Sequence, residues 1–276
     1  MASKPAVDPL IRLIGIDVDG TLIGSTGIIA ERVWDTAARA RAAGIHLALC
    51  SGRPAFGVAL EYARRLDGES WHIFQNGASI VHLASGRSLS VNLPAQPVQE
   101  LIAQARSTQH VLELYSDTEY ATESTSAWAR EHAQLLGLRF EPRSFESLQA
   151  PIVRAQWLLS PADAARAFVR APMGLEVAES TSPLMPETRF VGLTAEGVNK
   201  GSAICRVAME CGVSMQHVMY VGDSGNDLSA MRVAGYPIAM ANADRDVRRA
   251  ARCSVGHVDE GGLADALEIA IAATRA

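Results

Sequence analysis

The chain has 276 residues, is 48% hydrophobic and 20% charged, and carries a formal net charge of −5 at pH 7. These values suit a globular protein of one large or two modest domains, and they exclude disordered and collagen-like classes. The basic residues are dispersed, which disfavours a nucleic-acid partner, and Cys50, Cys205, Cys211 and Cys253 lack the spacing of a disulfide framework or zinc site.

The first nine residues lack the apolar stretch of a signal peptide, and no later run is long enough to span a bilayer. The expectation is a cytoplasmic protein with reduced thiols and no membrane partner. Leu10 to Ile16 is almost continuously apolar and runs into Asp17-Val18-Asp19-Gly20-Thr21, the pattern of a buried strand ending in a turn. Strands buried on both faces belong to parallel sheets. A helical stretch over Ala30 to Ala43 stops at Gly44, and a second short strand, Ile45 to Cys50, ends at Ser51-Gly52-Arg53. A helix over Phe56 to Leu66 then leads to a third strand, Trp71 to Phe74, closing at Gln75-Asn76-Gly77.

The rhythm changes between about His82 and Arg189. Strands are expected at Ser88 to Leu93, Val111 to Tyr115, Tyr120 to Glu123, Val153 to Leu159 and Leu175 to Ala178. Helices are expected among them at Val98 to Thr108, Ser126 to Leu136 and Pro161 to Arg170. Neighbouring strands separated by single helices indicate an α+β module with an antiparallel sheet. The parallel rhythm then returns with a helix at Gly201 to Cys211, a strand at Val218 to Val221, a helix at Asp227 to Val233, a strand at Pro237 to Met240 and a last helix at Leu263 to Ala273. One α/β domain built from both ends of the chain, with a second domain inserted, is the organisation this implies.

Asp17 and Asp19 stand at the carboxyl end of the first strand, where open α/β sheets form their binding crevice. Carboxylates this close repel unless a cation or a shared proton offsets them, and Mg2+ favours such oxygen ligands. Taken alone, Asp-Gly is also a common turn. A second acidic strand end, Gly222-Asp223-Ser224-Gly225-Asn226-Asp227, points into the same crevice, with Asp223 placed as a ligand and Asn226 and Asp227 placed to cap a helix or brace a basic neighbour.

Ser51, with Gly52 behind it, offers a hydroxyl and backbone N–H groups to a phosphate oxygen near a helix N-terminus. Cys50 and Arg53 are too close together for the signature of thiolate phosphatases, so Cys50 is read as a buried strand residue. Of the 25 basic residues only Lys4 and Lys200 are lysines. Lys200 opens a helix, where an ammonium can neutralise an aspartate nucleophile and an incoming phosphate together. The arginines from Arg245 to Arg252 read as a solvated helix face, and the seven histidines show no paired metal spacing and receive no role. Tyr115, Tyr120, Trp128 and Trp157 are candidates to stack on a sugar or base, though aromatics in such segments usually fill the core.

Together, Asp17-Val18-Asp19-Gly20-Thr21, Ser51-Gly52-Arg53, Lys200 and Gly222-Asp223-x-x-Asn226-Asp227 resemble the four ordered motifs of the haloacid-dehalogenase-like phosphatases. The resemblance is closest to the Cof-type, class IIB sugar-phosphatase branch, through Asn76-Gly77-Ala78, Gly197-x-x-Lys200-Gly201 and Ala239-Met240-x-Asn242-Ala243. It implies a three-layer, Rossmann-like parallel-sheet core over 1–82 and 190–276 and an α+β cap over 83–189. It further implies Asp17 as nucleophile, Asp19 as general acid/base, and Ser51, Gly52, Arg53, Lys200 and Asn226 around the phosphate. Mg2+ would be bound by Asp17, Asp19 and Asp223, with Asp227 in support.

The resulting expectation is a Mg2+-dependent phosphomonoester hydrolase acting through an aspartyl phosphate on a small soluble substrate, a sugar phosphate by preference, as a monomer or weak homodimer. A phosphohexomutase using the same aspartate pair is the nearest alternative. A phospho-aspartate receiver module is another, although receivers are about half this length and place their aspartate after a middle strand.

Overall fold

A computed structural model of the chain describes residues 10–167 and 174–274. The core opens with β1 (Leu13–Ile16), α1 (Glu31–Ala42), β2 (His46–Leu49), α2 (Val58–Asp67) and β3 (Trp71–Phe74), followed by the hairpin strands β4 (Ser79–His82) and β5 (Arg87–Ser90). The inserted module comprises α3 (Ala95–Thr108), β6 (Val111–Tyr115), β7 (Tyr120–Ala121), α4 (Ala127–Leu135), β8 (Arg154–Leu159), α5 (Pro161–Ala167), β9 (Leu175–Ser182) and β10 (Met185–Ala195). The core resumes with α6 (Lys200–Glu210), β11 (Val218–Gly222), α7 (Leu228–Val233), β12 (Tyr236–Ala239), α8 (Arg245–Ala250), β13 (Cys253–Ser254) and α9 (Leu263–Ala273). The expected end of α5 at Arg170 lies outside the described residues.

The core sheet is parallel, in the order β13-β12-β11-β1-β2. β1 is buried along its whole length because both faces are covered. Ile14 and Ile16 pack with Val33, Ala37 and Ala40 of α1, Ala63 and Leu66 of α2 and Leu267 of α9. Leu13 faces the other way, onto Ile204 and Val207 of α6, Met231 of α7 and Val247 of α8. Two helical layers thus enclose the sheet, and β1 and β11, the strands that lead to Asp17 and Asp223, lie side by side within it. Among the described residues no helix is long and apolar enough to cross a membrane.

β3 continues the sheet through a parallel bridge between Cys50 and Ile73, then pairs antiparallel with β4, which pairs with β5. The backbone ladder thus joins β5, which lies beyond the expected boundary at residue 82, to β3 and β4. The module begins near Leu93, whose N–H donates to Ile152 and whose side chain joins the module's own apolar cluster. At the other end, β10 pairs with β8 through Leu193 and with β9 through Ala195, past the expected return at 190. β10 escaped notice in the sequence because Pro186, Glu187 and Arg189 interrupt its apolar pattern, and the register shifts between Met185 and Phe190.

The cap sheet runs β7-β6-β8-β10-β9 and is antiparallel. Alternation along β8 gives it two unlike faces. Ala155, Trp157 and Leu159 pack beneath α3 with Leu112, Leu114, Val191 and Leu193. Arg154, Gln156 and Leu158 face the opposite side, level with Tyr115, Glu113 and Val111 of β6. All six residues of β8 are buried, so its polar side chains are covered by protein rather than by bulk water.

Candidate active site

Asp17 follows β1 directly and is buried, with its N–H donating to Val221 O of β11. Its Oδ1 accepts a hydrogen bond from Lys200 Nζ, which also donates to Asp227 Oδ1 at 2.7 Å. Lys200 is the first residue of α6, behind an Asn199–Ser202 capping box. An ammonium at a helix N-terminus opposes the helix dipole, and here two buried carboxylates outweigh that penalty. Burial works against the charged ammonium, but Asp17 and Asp227 raise the Lys200 pKa above its ordinary value. Asp227 Oδ1 accepts a second bond from Tyr220 Oη at 2.7 Å, and its Oδ2 accepts the N–H groups of Asp223 and Ser224, each at 3.0 Å.

Asp223, at the end of β11, accepts Thr21 Oγ1 at 3.0 Å. Gly20 makes this approach feasible: its φ is +92°, and a Cβ there would lie 2.2 Å from Asp223 Oδ2. Oxygen atoms of Asp17, Asp223 and Asp227 all lie within 4.8 Å of one another. Burial and the Asp227 charge push the Asp17 carboxyl upward, and burial and the Asp17 charge do the same to Asp223. Asp17 Oδ2 is buried without a hydrogen-bond partner among the described residues. Three buried carboxylates sharing one ammonium, with one oxygen orphaned, form a donor set suited to a hard divalent cation. Asp17 and Asp223 could hold it, because both oxygens of Asp227 are already engaged.

The carboxylate of Asp19, expected as a ligand, stands outside this cluster of side-chain oxygens. Its carboxylate accepts Arg53 Nε at 2.9 Å and Nη2 at 2.6 Å, and Ser182 Oγ of the cap at 3.0 Å. The planar guanidinium supplies two parallel donors that fit a carboxylate, and both Asp19 oxygens are engaged by it. Burial opposes ionisation of Asp19, yet Arg53 outweighs it and holds the carboxyl below its usual range. Arg53 Nη1 also donates to Leu135 O at 3.0 Å, and the first N–H of α2, from Val58, donates to Leu136 O at 3.1 Å. The end of α4 is thereby docked against the start of α2, and the cap is closed over the core.

Ser51 is buried at the end of β2, and its Oγ accepts the Arg53 N–H at 3.0 Å. The helix expected from Phe56 starts at Val58 with Gly57 as its N-cap, so Ser51 follows a strand without capping that helix. Gly52, Arg53 and Asn226 line the cleft beside Asp17 and Asp19. Asn226 Nδ2 donates to Asn76 Oδ1 at 3.2 Å, and Asn76 is held there at a left-handed φ of 54°. Cys50 is buried and burial pushes its thiol up to about 12, as suits a strand residue rather than a nucleophile.

Three residues to which the sequence assigned no role also contribute. Asn242 donates Nδ2 to Gly20 O at 2.7 Å and accepts Val258 N–H, bracing the loop that carries Asp19. Ser182 reaches Asp19 from the unrecognised end of β9. His132, given no role in the sequence, lines the cleft with its Nδ1 at 2.9 Å from Glu113 Oε1. Of the four aromatic candidates, Trp157 lies in the cap core and Trp128 bonds Thr188, whereas Phe190, packed near the His132 ring, lines the cleft.

The family model for haloacid dehalogenase-like hydrolases matches residues 14–267. A 5-amino-6-(5-phospho-D-ribitylamino)uracil phosphatase of Bacillus subtilis (strain 168), YwtE, is 24% identical over 92% of this chain and 96% of its own. The crystal structure of a haloacid dehalogenase-like hydrolase from Bacteroides thetaiotaomicron superposes with a TM-score of 0.80 at 27% identity, covering 94% of this chain and 99% of that one. The subclass IIB sugar phosphatase BT4131 also gives a TM-score of 0.80, at 21% identity, over 94% of this chain and 98% of its own.

Proposed function

Because the chain belongs to the haloacid dehalogenase-like hydrolases and is a phosphatase, we propose that it hydrolyses small phosphomonoesters, sugar phosphates by preference, through an aspartyl phosphate on Asp17 with Mg2+ as cofactor. The observation that carries this reading is the state of Asp17: buried at a strand end, one oxygen held by Lys200, the other without a partner, and Asp223 facing it.

Asp17 and Asp223 would hold the Mg2+, which when bound offsets the repulsion between the carboxylates and the incoming phosphate. Catalysis of phosphoryl transfer is mainly positioning and charge stabilisation, and Lys200 supplies a fixed positive charge beside the nucleophile. Asp17 attacks phosphorus as the ester P–O bond breaks, and Asp19 gives a proton to the departing alkoxide. Water then attacks the aspartyl phosphate, loses its proton to Asp19, and releases inorganic phosphate and the Asp17 carboxylate. In the closed arrangement Asp19 is occupied by Arg53 and Ser182, so the proton transfers require it to turn from that pair toward the reacting oxygen. Asn226, Gly52 and Ser51 would orient the phosphate.

The cleft between core and cap has a volume of about 40 Å3. That is space for a few water molecules, against roughly 300–1,000 Å3 in typical small-ligand sites. The cap therefore has to lift to admit substrate, with the α4–α2 docking as the contact that breaks. A panel of phosphomonoesters assayed with and without Mg2+, beside Asp17→Asn, tests the proposal. Phosphate release should require the cation and fall by roughly 10³-fold or more in the folded variant; a variant that keeps its turnover overturns the assignment of the nucleophile.

A further inference from the structure

Arg154, on the central cap strand β8, is a buried charge that the phosphoryl-transfer chemistry does not use. It is 1% exposed and lines the same cleft as Asp17 and Asp19. Its Nη2 donates to Gln156 Oε1, and its guanidinium carbon lies 4.7 Å above the centre of the Tyr115 ring. Nε and Nη1 are buried with no hydrogen-bond partner among the described residues. Glu113, the acidic residue nearest in the sheet, is committed elsewhere: its oxygens take Tyr115 Oη at 2.6 Å, Gln156 Nε2 at 3.2 Å and His132 Nδ1 at 2.9 Å.

A guanidinium cannot escape burial by losing its proton, so a buried arginine with open donors calls for an anion or a strong acceptor. The cleft provides the place for one. The transferred phosphate is assigned to the core side, beside Asp17 and Lys200, so the leaving-group half of a substrate must extend toward the cap, where Arg154, Gln156, His132 and Phe190 line the wall. Resting on the phosphatase reading, we propose that Arg154 binds an anionic group on that half, so that the preferred substrate is a phosphomonoester carrying a carboxylate or a second phosphate in addition to the phosphate that is cleaved. Guanidinium suits both anions, and Gln156, bonded to Arg154 and to Glu113, fixes its orientation. Within the sugar phosphates this selects phosphorylated sugar acids and bisphosphates.

The test uses substrate pairs that differ only in the second group, read as the ratio of kcat/KM within each enzyme, which is independent of how much of a preparation is active. 3-Phosphoglycerate against glycerol 3-phosphate reports a carboxylate, and fructose 1,6-bisphosphate against fructose 6-phosphate reports a second phosphate. The wild-type protein should favour the charged member of at least one pair by roughly ten- to a hundredfold. Arg154→Gln should bring that ratio to about one, and Arg154→Lys should retain part of it. Ratios near one in the wild type, or a wild-type preference that survives in Arg154→Gln, overturn the proposal. In the latter case Arg154 only braces Gln156 and Tyr115. Failure of the wild type to turn over p-nitrophenyl phosphate is a separate result, which removes the phosphatase reading and the Arg154 assignment with it.

Discussion

Lys200 Nζ lies 2.7 Å from Asp227 Oδ1 and also bonds Asp17 Oδ1, so that one buried ammonium joins partners 27 and 183 residues away in sequence. Lys200→Met removes the charge at similar volume and leaves two buried carboxylates facing each other. Stability should fall by about 3–5 kcal/mol, the usual cost of breaking a buried pair from one side. Urea denaturation measures this, and phosphate release should fall by roughly 10²-fold in the fraction that remains folded. A variant as stable as the wild type would show that the pair contributes little.

Asp223 and Asp227 are close neighbours with different bonding, and their amide variants should separate by phenotype. Among the described residues the Asp223 carboxylate accepts from Thr21, whereas Asp227 is satisfied by Lys200, Tyr220 and two backbone N–H groups. Asp223→Asn should raise the Mg2+ concentration needed for half-maximal activity by at least about tenfold with little change in melting temperature. Asp227→Asn should lower stability by about 1–3 kcal/mol, because an NH2 would replace an acceptor opposite a donor. Metal titration and thermal melting of the two variants side by side distinguish ligand from brace; equal metal shifts would contradict the assignment.

Gly20→Ala combines two penalties, a φ of +92° and a Cβ placed 2.2 Å from Asp223 Oδ2. The backbone term costs about 1–3 kcal/mol, and the clash displaces the proposed ligand. The variant is expected to lose both thermal stability and affinity for Mg2+. Calorimetric titration with the cation checks the second effect independently of activity; unchanged affinity would mean that Asp223 is not a ligand.

His72 sets an acid limit on stability. Its Nδ1 accepts the Leu49 N–H at 3.1 Å and its Nε2 lies 2.7 Å from Asp67 O, an arrangement that only the neutral ring completes. Burial lowers its pKa from 6.5 to about 4. The unfolded chain therefore binds a proton that the folded chain refuses between those values. The stability from neutral His72 is fully present above pH 6.5 and is lost as the pH falls toward 4, amounting to about 3 kcal/mol. Unfolding free energies measured across this window should show the slope, and His72→Gln should flatten it.

The apolar strands and their polar ends were legible in the sequence because a parallel strand buried on both faces needs a continuous apolar run, which makes the following acidic turn conspicuous. β1, β2, β3 and β11 appear where that signal places them, within a few residues, and Asp17, Asp223 and Lys200 converge on one site. The hairpin strand β5 and the long strand β10 gave weaker signals. Each reads as polar or interrupted sequence, and only pairing with a neighbour reveals its membership.

Local sequence thus determined the layered α/β core, the inserted cap and the identity of the charged residues at the strand ends. What it left to the tertiary structure was the pairing of those charges. Arg53 takes Asp19, Asp227 rather than Asp19 completes the acidic cluster, and Arg154 is left with open donors in the cleft wall. Periodicity is a property of a segment, whereas a hydrogen bond or ion pair depends on the distance between side chains from segments far apart in the chain, and that distance is set only when the sheets pack.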